Sequence, residues 1–68
     1  MKAGEVRKNL VVLWRSPNGG LYSISIVEKL GDHAKARVIG VKEPGSDDLR
    51  MGSMIDANYS DMSPLPEG

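Results

Sequence analysis

The chain has 68 residues, nine cationic and nine anionic side chains, a single His, no Cys and no Phe. That length gives one domain with a small core, and the composition excludes a disulfide framework, a thiolate metal site and a Cys/His structural zinc. The net charge of zero hides a division: residues 1–42 carry eight cations against three anions, net +5, while residues 43–68 carry Arg50 against six carboxylates, net −5. Such asymmetry points to a charged partner or to an acidic end folding back on a basic sheet.

The first ten residues lack the apolar run of a signal peptide, and no stretch approaches the about 18 apolar residues of a membrane span. The expected compartment is therefore the cytoplasm. Leu10-Val11-Val12-Leu13-Trp14 has no polar break, is rich in Val and is closed by a turn signal. It reads as a strand covered on both faces, spanning about 6–15, with Leu10, Val12 and Trp14 on the main core face. Ser16-Pro17-Asn18-Gly19-Gly20 is a hairpin loop: Pro presets its own φ, and Asn-Gly accepts positive φ.

The longest patterned stretch runs from Leu21 to Lys42. Tyr22, Ile24 and Ile26 alternate with Ser23 and Ser25, the period of a half-buried strand, expected over 21–30. Gly31-Asp32-His33 supplies a turn, and a return strand follows over 35–42. Ala36 and Val38 share one face of it, whereas Ile39 and Val41 share the other. This slip implies burial on both faces or a bulge, for which Gly40 is well placed.

Glu43-Pro44-Gly45-Ser46-Asp47-Asp48 ends that strand. Leu49–Ala57 fits either a strand or a helical turn capped by Ser46 or Asp47, and a fourth strand over about 50–55 is the reading adopted. Residues 60–68, with Pro64 and Pro66, are expected to form a flexible, loop-rich tail beyond a single domain of residues 1–59. The expected fold class is all-β: a small antiparallel sheet of three to four strands, bent or closed into a barrel.

No catalytic set emerges. Nucleophile-base pairs, phosphate loops and Walker-type lysines are missing, His33 is a lone turn histidine, and Asp47-Asp48 is a carboxylate pair only in sequence. Asp56, Asn58, Ser60 and Glu67 fall at ligand positions of an EF-hand calcium loop. Asp61 stands where that loop needs Gly, however, and Pro64 and Pro66 lie inside it. No metal or cofactor is expected, and Asn58-Tyr59-Ser60, formally a glycosylation sequon, is taken as chance. The chain reads as a non-enzyme.

Two binding readings remain. In the first, the chain binds another protein through Trp14, Arg15, Met51, Met54 and Tyr59, since Trp and Arg are enriched at interface hot spots and Met adapts to irregular surfaces. The continuity of Trp14 with Leu10 and Val12 favours the core for that ring. In the second, the basic two-thirds binds nucleic acid through Arg7, Arg15, Lys29, Lys35 and Arg37, with the acidic third modulating it. That sheet offers only Tyr22 for base stacking, and Tyr22 is assigned to the core face.

The lead-in Gly4-Glu5-Val6, the three-strand meander and one more short strand together resemble the SH3-like small barrels over residues 4–57. The resemblance implies that fold and no particular ligand, because such domains bind peptides, nucleic acid and other proteins. A compact chain of this kind, Cys-free and without an evident active site, also suits a regulator or inhibitor from a phage or mobile element that occupies a larger host protein.

Overall fold

The computed structural model describes residues 1–46 and 49–65. The Asp47-Asp48 pair, an Asp47 cap and Glu67 lie outside the described residues. The fold is all-β: β1 (Val11–Arg15), β2 (Leu21–Lys29), β3 (His33–Glu43), β4 (Met54–Asn58) and β5 (Met62–Pro64). They form one antiparallel sheet in the order β4-β3-β2-β1-β5. Two short 3-10 turns, Ala3–Glu5 and Tyr59–Asp61, precede β1 and β5.

β1 begins later than the expected residue 6. Asn9 takes a left-handed φ of 72°, which Asn tolerates better than most residues. Its N–H donates to the Ile26 carbonyl at 2.7 Å, and Leu10 N–H closes a turn onto the Arg7 carbonyl at 3.1 Å. Val6 still reaches the core from the lead-in. The Ser16–Gly20 loop forms as expected, with Gly19 at φ 92° and paired bonds between Ser16 and Gly20 and between Gly19 and Ser16.

β2 and β3 make the central ribbon. Their register shifts between Leu21 and Tyr22, between Ser23 and Ile24, and between Ile26 and Glu28. The middle shift leaves Ile39 as the extra residue beside Gly40, so the sequence slip at this point is a bulge. Bulges strengthen local twist and bend the ribbon. Large residues on β2 stand beside small ones on β3, as Ile26 does beside Ala36, which leaves room for the chain to curl over them.

The fourth strand lies further along than the expected 50–55. Gly52 at φ 89° and a Ser53-to-Arg50 backbone bond at 3.1 Å make a turn there, and extended pairing starts only at Met54. In the stretch expected to fray, Met62–Pro64 pairs with β1, Trp14 facing Met62. The amino nitrogen of Met1 donates to the carbonyls of Tyr59 at 2.9 Å and Met62 at 2.7 Å, fastening this end of the chain.

The core is one cluster: Val6, Val12, Trp14, Tyr22, Ile24 and Ile26 with Ala34, Ala36, Val38, Ala57, Tyr59 and Met62. Each large aliphatic side chain buried here contributes about 1.5–3 kcal/mol, which is what holds so short a chain together. No helix among the described residues is long and apolar enough to cross a membrane.

Candidate interaction surface

Strand alternation that sends the core residues inward sends a second set outward. On β1 these are Val11, Leu13 and Arg15, and on β2 Leu21, Ser23, Ser25 and Val27. On β3 they are Lys35, Arg37 and Ile39, and on β4 Met54 and Asp56. Cross-strand pairing ties them into one surface, through Val11 with Ser25, Leu13 with Ser23, Ser25 with Arg37, and Arg37 with Met54.

Shallow depressions mark this surface, one of them between Lys35, Met54, Ile55 and Asp56 at the β4 end. Leu13, Leu21, Lys42 and Leu65 line another of about 430 Å³. Lys8, Ser25, Val27, Arg37 and Ile39 take part in a third of about 350 Å³. Val27, Ile39, Leu65 and Met54 are exposed, while Val11, Leu13 and Leu21 are half-buried. The run expected to be covered on both faces therefore has one face open. The surface is aliphatic with a cationic fringe, and its middle is the small residues Ser23, Ser25 and Gly40.

The expected protein-binding residues divide. Trp14 is 5% exposed and Tyr59 6%, so neither presents an anchor on the surface. The Trp14 ring lies 5.8 Å from that of Tyr22, and the Tyr59 hydroxyl donates to the Leu30 carbonyl at 2.7 Å. Met51 and Met54 are 70% and 50% exposed, Met54 on the outward surface and Met51 in the turn before it. Arg15 is exposed and held by Glu43 at 3.0 Å and by the Gly19 carbonyl at 3.3 Å.

The expected nucleic-acid residues do not converge. Arg7 lies in the turn before β1, outside any strand, and Lys29 Nζ donates to the Ala3 carbonyl at 2.8 Å at the far end of β2. Lys35 and Arg37 do share the outward face, and Lys8 lies beside Arg37. Lys35, however, has Glu28 as its cross-strand neighbour on one side and Asp56 on the other. They place negative charge beside it, although among the described residues neither forms an ion pair with it.

The lone histidine lies beside an acid. His33 Nδ1 lies 2.7 Å from Asp32 Oδ1, and this hydrogen bond, with a bond from the Asp32 backbone and the His33 charge, holds the carboxyl below its usual range. Among the described residues no three of His, Asp and Glu converge as metal ligands would. Asp56 and Asn58 lie on an extended strand and Ser60 in a 3-10 turn, not in a calcium-binding loop.

Leu13, Leu21, Val27, Ile39 and Leu65 were not foreseen as surface residues. The signal for Leu13 was its parity with Arg15, and for Ile39 the break in phase after Val38. Compared with protein-family models, with curated proteins and with solved structures, the chain matches none.

Proposed function

We propose that this chain is a non-enzymatic binding module for another protein, which it engages through the outward face of the sheet. The supporting observation is the burial of all three aromatic rings, Trp14, Tyr22 and Tyr59, beneath a face that exposes aliphatic groups, Val27, Ile39, Met54 and Leu65, among its charged ones. A face without rings has no platform for bases to stack on. Aliphatic side chains left in water, by contrast, gain free energy when a partner covers them. The fringe of Lys8, Arg37 and Lys42 suits a partner surface that is apolar at its centre and acidic at its rim.

The meander with its bulged central ribbon supports the SH3-like reading of the fold. A module of this size without evident catalytic groups suits a small regulator or inhibitor that occupies a larger host protein. The nucleic-acid reading is favoured by one observation, the placement of Lys8 and Arg37 around one depression.

A capture experiment from the lysate of a native host tests the proposal, with and without nuclease and with wild type beside Leu13→Asp and Ile39→Asp. The same protein should be retained in both nuclease arms and lost with either face variant. Retention that vanishes with nuclease, or that survives both substitutions, would contradict it.

A further inference from the structure

The two edges of the sheet are built differently. β5 is three residues long and ends in Pro64, which has no N–H to offer a neighbour. β4, Met54-Ile55-Asp56-Ala57-Asn58, contains neither Pro nor Lys and pairs with β3 without a register shift. Natural sheets blunt exposed edges with these very devices, because an open edge recruits strands. The one charge on β4 is Asp56, which is exposed, has Lys35 of β3 as its cross-strand neighbour and, among the described residues, forms no ion pair with it or with any other group.

That carboxylate decides what the edge can accept. The antiparallel register that pairs all five β4 residues with those of a second copy sets Asp56 against its own equivalent. Like charges directly opposite one another destabilise a strand pair, and opposite charges stabilise it. Pairing of β4 with β5 of a second copy is limited by the shortness of β5 and by Pro64. The edge is thus closed to its own kind and open to a strand with a cation at the right position.

We propose that β4 is a docking edge for an extended segment of another protein, added antiparallel, with Lys or Arg opposite Asp56. Two residues further along that segment an aliphatic side chain lies against Met54, on the outward face. The recognised pattern is cation, any residue, aliphatic. This inference rests on the protein-binding reading and adds to it the manner of binding: main-chain bonds at the edge, with side chains continuing the outward face.

Two synthetic peptides of residues 53–59 serve as probes. Both carry Asn58→Val, to put an aliphatic residue opposite Met54, and one also carries Asp56→Lys. Wild-type protein should bind the Asp56→Lys peptide about fivefold to tenfold more tightly than the peptide retaining Asp56. Amide shifts should fall on residues 54–58. The Asp56→Lys protein should reverse that preference, and Asp56→Asn should flatten it and begin to self-associate in sedimentation.

Unchanged preference after the charge swap, no binding of either peptide at millimolar concentration, or dimerisation of wild type through β4 would each overturn the proposal. If the edge fails while the host-lysate partner is still lost with Leu13→Asp, the binding-module reading stands without it. If that partner is absent too, the broader reading falls.

Discussion

The hydroxyl of Tyr59 donates to the carbonyl of Leu30 at 2.7 Å, across 29 residues of sequence. It joins the 3-10 turn ahead of β5 to the turn between β2 and β3, so the last strand is located by the central ribbon. Removing only that hydroxyl leaves a partly buried carbonyl without its donor. Tyr59→Phe should therefore cost about 1–2 kcal/mol in urea unfolding, and Tyr59→Ala about 3–5 kcal/mol. Equal stability of wild type and Tyr59→Phe would show that the bond adds nothing.

Gly20 is required by proximity. A Cβ there would lie 2.5 Å from Tyr22 Cε2 and 2.6 Å from its hydroxyl oxygen, and that ring is buried in the core. Gly20→Ala should destabilise by about 1–3 kcal/mol. Gly31, around which a Cβ meets open space, should tolerate Ala within about 0.5 kcal/mol. Similar thermal midpoints for the two variants would contradict this account.

Trp14 carries a buried indole N–H with no acceptor. An unmatched buried donor costs about 1–3 kcal/mol, so Trp14→Phe gains back part of what its smaller ring loses. The variant should lie within about 1 kcal/mol of wild type, whereas Trp14→Ala should lose about 3–5 kcal/mol. Circular dichroism is the suitable probe, since Trp14 is the only tryptophan. A loss on Trp14→Phe as large as on Trp14→Ala would mean the N–H is satisfied.

Asp32 gives a pH prediction. His33, the Asp32 backbone bond and the His33 charge all favour the ionised carboxylate, so its pKa is lowered in the folded chain. A depressed carboxyl pKa stabilises the fold above the unfolded-state value, and that contribution is lost as pH falls through the folded one. Carbon-detected titration should place Asp32 below the ordinary carboxylate range, and His33→Ala should move it up. No movement would remove His33 as the cause.

Much of the fold was legible because its signals are local. The Asn18-Gly19 bend, the alternation of Tyr22, Ile24 and Ile26, and the phase slip at Ile39 are each written in a few consecutive residues. β5 was not legible, since Met62-Ser63-Pro64 has no period of its own and becomes a strand by pairing with Val12, Leu13 and Trp14. The start of β4 was misread because Met51 and Ile55 match in parity across Gly52, where the backbone turns. The candidate surface was hidden for a related reason. Leu13 and Ile39 look like core residues until the curl of the sheet decides which face is covered.

The most direct test is a pair of titrations on isotope-labelled protein, one with host-partner peptides recovered by capture and one with a single-stranded polynucleotide at low salt. The binding-module account predicts saturable shifts at Leu13, Leu21, Ile39 and β4 with peptide, and none at these residues with polynucleotide. Saturable, salt-sensitive shifts around Lys8, Lys35 and Arg37 with polynucleotide, and no response to peptide, would contradict it.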